Sequence, residues 1–320
     1  MNKYLLYLVL VFFLLIISCG QKQEYYLDFE HKPIPIIISM FNDIEPMKVN
    51  VFWSVNPLDI TDDVGNIVDT IKNAEIIIFE NGNELFVLPY IDSLGCYMIP
   101  TFIAKTAINY EIKAKVPDYK LELYASSIIP IKTEITKISP NVLTNDNTAE
   151  NYNDYKSYFM DLDSKIGGGV KYFLYQFEGF YEKKNVFTSD VYGPKIKDPV
   201  YYKNKNFYGI DGGSHASSFL FDNRYFVNNK ETIELKQTIG RYNGQDLESN
   251  RAVILSLSYD LYLYFSSQEN LFYRGGQSVD KLIIAEMRDP SLLYSNIKNG
   301  SGIFGGYTQS NYSLIYKEIN

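Results

Sequence analysis

Hydrophobic and polar residues alternate along this chain in short runs, and few stretches keep one period for long. Between residues 32 and 138 the pattern predicts strands at Pro35–Met40, Val49–Val55, Ala74–Phe79, Glu84–Leu88, Tyr97–Phe102, Tyr110–Val116 and Leu121–Ser127. These runs are rich in β-branched and aromatic side chains, which pack well on a pleated surface. Asn56-Pro57, Asn81-Gly82-Asn83, Ser93-Leu94-Gly95 and Pro117-Asp118 mark turns between them. Seven such strands predict a mainly β fold opening with a β-sandwich of immunoglobulin or prealbumin type.

Residues 139–156 break the pattern: they are polar and rich in Asn, and we expect a linker or long loop there. Residues 157–320 then form a second β-rich domain, antiparallel and sandwich- or barrel-like, with strands at Tyr158–Asp161, Val170–Glu178, Ser217–Phe221, Thr232–Ile239 and Ala252–Leu257. After Ser258 the period changes. Leu261, Tyr264, Phe265, Leu271 and Phe272 recur at helical spacing, Ser258 is placed to cap the start, and Gly275-Gly276 stops the run. One short amphipathic helix is expected, although Leu261, Leu263 and Phe265 also alternate as a strand would. No longer repeat recurs, which excludes solenoids and propellers.

The first residues follow a different logic. A single Lys3 precedes an uncharged run from Tyr4 to Ile17, and the run closes at Ser18-Cys19-Gly20. That is the layout of a cleaved signal peptide, 1–18. The run is too short for the roughly 20 residues a membrane-crossing helix needs. Ile16-Ile17-Ser18-Cys19 resembles a bacterial lipobox, so Cys19 is the expected lipidation site, with a lipidated tether over 19–31. One acyl chain anchors only marginally and two or more anchor stably, at about 0.8 kcal/mol per buried methylene.

Charge and cysteine content narrow the partners. The chain carries 30 basic and 38 acidic residues, a net charge of −8, and losing the leader removes one lysine and no acid. An acidic body without a basic stripe excludes nucleic acid and argues against adhesion to anionic lipid by charge, so the membrane is reached through the lipid anchor. With Cys19 acylated, Cys96 has no disulfide partner and reads as a small buried hydrophobe.

Candidate chemistry is sparse. The histidines are His31, in the tether, and His215, which follows Asp211-Gly212-Gly213-Ser214. That cluster misses the G-x-S-x-G elbow of a hydrolase and reads as a glycine-rich turn. Gly300, Gly302 and Gly305 satisfy G-x-G-x-x-G but lack the βαβ unit a dinucleotide site requires, and tight turns beside a closing strand account for them. Asp161 and Asp163 before Gly167-Gly168-Gly169, or the run Asn145-Asp146-Asn147, offer oxygen ligands without EF-hand spacing, and a solvated turn is expected. No catalytic residue, cofactor or metal site is therefore assigned. Trp53 reads as core, and Asp69-Thr70-Ile71 and Asp92-Ser93-Leu94 resemble O-glycosylation triplets.

Several stretches carry a family likeness. Leu293-Tyr294-Ser295-Asn296-Ile297-Lys298-Asn299-Gly300-Ser301-Gly302-Ile303-Phe304-Gly305-Gly306-Tyr307 closely resembles the closing signature of domain of unknown function family 4249. Ile71-Lys72-Asn73-Ala74-Glu75-Ile76, Tyr110-Glu111-Ile112 before Pro117, and Phe221-Asp222 with Phe226 ahead of Thr232–Ile239 follow in the same order. The resemblance implies an outer-membrane lipoprotein of the Bacteroidota, often encoded beside TonB-dependent receptors, with no reaction or catalytic residue to carry over. The tether after Cys19 holds one acid and one base, which favours the cell surface slightly over the periplasmic face.

Three functions follow as expectations. The first is a non-enzymatic accessory or binding component of TonB-dependent nutrient uptake, with a TonB-dependent receptor as partner and an unknown ligand. The second is a surface hydrolase of glycans or peptides whose paired carboxylates meet only in the fold. The third is a structural or adhesive surface protein.

Overall fold

Two strands from opposite ends of the chain form the wall on which the rest is built. The computed structural model describes residues 32–54, 69–140, 154–163, 170–180, 218–223, 232–239, 249–274 and 293–315. The strands are β1 (Pro35–Phe41), β2 (Pro46–Trp53), β3 (Glu75–Glu80), β4 (Asn83–Val87), β5 (Tyr90–Ile91), β6 (Cys96–Ile103), β7 (Asn109–Lys115) and β8 (Leu123–Ile128). They continue with β9 (Glu134–Pro140), β10 (Asp154–Asp163), β11 (Tyr172–Phe180), β12 (Ser218–Asp222), β13 (Thr232–Ile239), β14 (Ser249–Leu257) and β15 (Ser301–Ile315), and helix α1 spans Tyr259–Arg274.

Among the described residues three sheets result. The largest runs β12-β11-β14-β15-β1-β2-β6-β5, a second runs β4-β3-β7-β8, and a third runs β13-β10-β9. Within the largest, β1 and β15 are parallel, from Ile36 opposite Ser301 to Phe41 opposite Gly306, while β2 and β14 flank them antiparallel. Among the described residues the mainly β reading with one helix holds, and no sheet closes into a barrel.

The first seven predicted strands face each other as a sandwich. Ile37, Phe41, Val49 and Val51 from the large sheet meet Ile76, Ile78, Tyr110, Ile112, Ala114, Leu123 and Ala125 from the four-stranded one, all nearly or fully buried. The hairpin between β3 and β4 turns through Asn81 (φ 50°) and Gly82 (φ 81°), the left-handed pair that matches the twist of antiparallel strands.

On the opposite face of the wall lies a second core: Leu174, Leu220, Leu257, Leu261, Tyr264 and Ile303, with Ile38 packed against it. Neighbouring strand residues point to opposite faces, so Ile303 enters the helix-side core while Phe304 enters the sandwich. Full burial of such side chains stabilises by about 1.5–3 kcal/mol each. Helix α1 begins as its sequence predicts. The Ser258 hydroxyl accepts from the Leu261 amide at 3.3 Å, its carbonyl accepts from Tyr262 at 3.0 Å, and Asp260 supplies an acid in the first turn.

Strand β15, from the C-terminal part of the chain, completes the sheet that β1 begins. Of the expected linker, 139–140 belong to β9 and 154–156 to β10, while 141–153 lie outside the described residues. Of the three glycines expected in tight turns, Gly300 stands in a bend just ahead of β15, while Gly302 and Gly305 sit inside the strand.

Candidate functional site

The stretch 293–307 is where the elements are joined. The Asn296 side chain pairs with the backbone of Phe304 twice, donating to its carbonyl at 2.8 Å and accepting from its amide at 3.0 Å. Lys298 and Tyr124 exchange backbone hydrogen bonds at 2.8 and 3.3 Å, and the Asn299 side chain donates to the Glu122 carbonyl at 2.7 Å. These bonds fasten the segment ahead of β15 to β8. Gly302 (φ 109°) then lets β15 press on β1, since a Cβ there would lie 2.0 Å from the Ile37 carbonyl oxygen. At the other end Gly306 donates to Ser127 Oγ at 3.1 Å and its carbonyl accepts from Ser258 at 2.9 Å.

Tyr294 ties the same segment to α1. Its hydroxyl donates to an Asp260 carboxylate oxygen in a short hydrogen bond, and its amide donates to Ser267 Oγ at 2.9 Å. Burial raises the Tyr294 phenol well above its ordinary value, and the Asp260 carboxylate adds to that rise.

Beside the Gly306 end lies a cleft of about 390 Å³, walled by the 128–133 segment, the start of β11 and the passage from β14 into α1. Its rim is apolar and open to solvent: Ile128 is 47 % exposed, Ile131 43 %, Val170 43 % and Tyr259 54 %. On its floor Ser256 Oγ accepts from the Thr133 amide at 3.3 Å. One side is an aromatic cluster in which Tyr172 packs on Tyr259 and Tyr262, with ring centroids 5.0 and 4.6 Å apart. The lining holds Lys171 and several hydroxyls but no carboxylate, imidazole or thiol. Such a volume with mixed aliphatic and aromatic walls has the size of a ligand site, and contiguous exposed apolar side chains mark interaction surfaces.

The residues singled out from sequence are not gathered here. Cys19, His31, the Asp211–Ala216 stretch and Asn145-Asp146-Asn147 lie outside the described residues. Asp161 and Asp163 stand in β10, not in a turn, and the Asp161 carbonyl accepts from Thr136 Oγ1 at 3.1 Å. Among the described residues no three potential metal-ligating side chains cluster. Cys96 is buried, and desolvation pushes its thiol up, as for an inert core residue. Trp53 is half-buried at the edge of the sandwich, with its ring edge-on to Tyr119 at 6.2 Å. Of the two glycosylation-like triplets, Asp92-Ser93-Leu94 lies in an exposed turn, whereas Thr70 is tied to Phe52 in a β-bridge.

The cleft itself was missed in sequence, because its parts come from four separated segments. Other tyrosines serve the core. Tyr97 donates to the Ile71 carbonyl and accepts from the Ala74 amide, both at 2.8 Å, and Tyr110 accepts from the Lys105 amide at 3.0 Å. These rings are core residues whose hydroxyls satisfy loop backbone, and burial raises both phenols.

A family profile described as Domain of unknown function (DUF4249) matches residues 22–313. No curated protein matches the chain. Among solved structures, a β-glucuronidase of Parabacteroides merdae with glycerol in its active site is 8 % identical, with 71 % of this chain and 23 % of that chain covered at a TM-score of 0.22. The present chain thus spans less than a quarter of that enzyme's length. The BSP domain of a biofilm-associated protein is 9 % identical, covering 93 % of this chain and 62 % of that one, with a TM-score of 0.19.

Proposed function

The chain belongs to the DUF4249 family, and from that premise we propose that it is a non-enzymatic binding component of the outer membrane, anchored through acylated Cys19 and associated with a TonB-dependent uptake receptor. The observation that carries this reading is the open apolar cleft, whose rim residues Ile128, Ile131, Val170 and Tyr259 face solvent while the chain as a whole is acidic. An aliphatic and aromatic surface of this kind gains free energy by being covered. Acylation at Cys19 supplies the membrane attachment that the acidic charge opposes.

Gentle solubilisation of the outer membrane, capture of the protein and identification of what accompanies it tests the proposal. We expect a TonB-dependent receptor to be recovered with the native chain, and to be lost with the double variant Ile131→Glu, Tyr259→Glu, which keeps the fold because both side chains already meet water. Recovery of the receptor undiminished by those changes defeats the assignment of the cleft. A Cys19→Ala chain that still sediments with the membrane defeats the anchor.

A further inference from the structure

Where a chain enters its fold decides how the fold resists a pull. The tether meets the body at Ile34, whose amide donates to Ser54 Oγ and whose carbonyl accepts from the Ser54 amide, both at 2.9 Å. It continues directly into β1, which is not an edge strand but lies inside the eight-stranded sheet, between β15 and β2. Six residue pairs, from Ile36 with Ser301 to Phe41 with Gly306, join β1 to β15 in parallel. Four more, from Pro35 with Trp53 to Ile38 with Asn50, join it to β2.

The two ends of the parallel pair differ. At the Ser301 end lie the tether entrance and the clasp of Asn296, Lys298 and Asn299 onto Phe304 and β8. At the Gly306 end, about 17 Å further along at roughly 3.3 Å per residue, lies the cleft, since a Cβ on Gly306 would meet the Ile128 carbonyl oxygen at 2.8 Å. A pull between tether and cleft therefore runs along the strand axes. Hydrogen bonds in a sheet cross the gap between strands, perpendicular to that axis in the antiparallel ladder and slanted in the parallel one. Such a pull loads all of them together rather than opening them one by one.

We infer that the β1–β15 pair is a shear clamp, through which tension arriving from the N-terminal tether is transmitted to the cleft end of the molecule without unravelling the sheet. The source of that tension rests on the anchored reading above; the clamp itself does not. Gly302 is part of the device, because only a residue without a Cβ lets β15 approach the Ile37 carbonyl so closely. The hydroxyl of Ser39 locks β1 from its other side by donating to the Lys48 carbonyl at 2.8 Å.

Single-molecule force spectroscopy on the chain from Gly20 to Asn320 tests this in two geometries. Handles at the two termini pull β1 and β15 past each other. Handles at the N-terminus and at an exposed Lys298→Cys thiol pull the same strands apart from one end. Forced unfolding reports the unfolding barrier, and with the bonds loaded in parallel we expect the first rupture force between the termini to be at least twice that from Lys298 at equal pulling speed. Equal forces, or a lower force between the termini, overturn the clamp. Neither outcome bears on Cys19, whose acylation is read by mass, so failure of the clamp and failure of the anchor are told apart.

Discussion

The two cores on either side of the β1–β15 wall are built by opposite rules. The sandwich core draws almost entirely on the contiguous stretch 37–129, adding Ile297 and Phe304 from the end of the chain. The helix-side core collects Leu174, Leu220, Leu257, Leu261, Tyr264 and Ile303 from widely separated segments. Contiguity lets turns and alternation specify one core locally; the other exists only because β15 returns to β1. The wall has to serve both, but unequally: Pro35, Ile37, Ser39 and Phe41 of β1 are buried on the sandwich side, whereas on the other face Ile36 and Ile38 are half-buried and Met40 is exposed.

The sharpest way to separate the cores is to disturb the wall itself. Gly302→Ala places a methyl group 2.0 Å from the Ile37 carbonyl oxygen, in a backbone conformation (φ 109°) that side chains rarely adopt. Backbone meets backbone there, so nothing can swing aside. We expect a loss above about 4 kcal/mol, at the exceptional end for single substitutions, read as collapse of cooperative urea unfolding. Gly305→Ala instead meets the Leu261 side chain at 3.0 Å, on the helix side alone. Overpacking of that kind costs about 1–3 kcal/mol. Equal losses at both glycines would mean that the close approach of β1 and β15 is not what holds the cores together.

A smaller effect is expected at the clasp. Asn296→Ala leaves the amide and carbonyl of Phe304 without the partners they have at 3.0 and 2.8 Å. An unsatisfied buried polar group costs about 1–3 kcal/mol, and equilibrium unfolding should show a loss in that range. Asn296→Asp keeps the acceptor but sets a carboxylate oxygen against the Phe304 carbonyl, so its loss should be no smaller. A loss no greater than that of a surface substitution would show that the signature is held by its glycines alone.

These numbers also explain what was legible in sequence. Asn81-Gly82, the run of Val, Ile and aromatic residues, and Ser258 ahead of Leu261 and Tyr264 each have a local physical meaning, and the sandwich strands and α1 appear where they predict. The parallel return of β15 has no local signal: Gly302 and Gly305 read as turn residues because close approach to β1 and Leu261 is a property of the assembled sheet. The Asn-rich run likewise reads as a domain boundary because polarity reports exposure, not whether the strands before and after it share a sheet with β1. The β5 pair Tyr90–Ile91 is too short for any period to show. The cleft combines Ile128, Val170 and Tyr259, whose proximity follows only once β8, β11 and α1 are docked. Edge protection was hidden too. β4, at the rim of its sheet, carries an irregularity around Leu85 in its pairing with β3, a bulge of the kind that bends an edge strand away from further pairing.

The mildest expected change lies at Tyr294, which holds α1 to the clasp. At neutral pH Tyr294→Phe removes one hydrogen bond whose acceptor, the half-buried Asp260 carboxylate, can turn to water, and should cost about 1 kcal/mol. Its signature is the pH dependence. Burial, and then the neighbouring carboxylate, keep the phenol protonated in the folded state beyond its ordinary 10.0. Above that pH the unfolded chain releases the proton while the folded one retains it, so the folded state binds more protons and stability falls as pH rises. Below it, both states hold the proton and the contribution is fully present. Tyr97, Tyr110 and Tyr124 are raised as well, so the alkaline decline is shared. Denaturant unfolding on both sides of that pH should therefore find Tyr294→Phe slightly weaker than the native chain below it, and declining less steeply above it. An alkaline slope unchanged by the substitution would place the helix-side core's hold on the clasp elsewhere, in the Ser267 contact to the Tyr294 amide, which phenylalanine preserves.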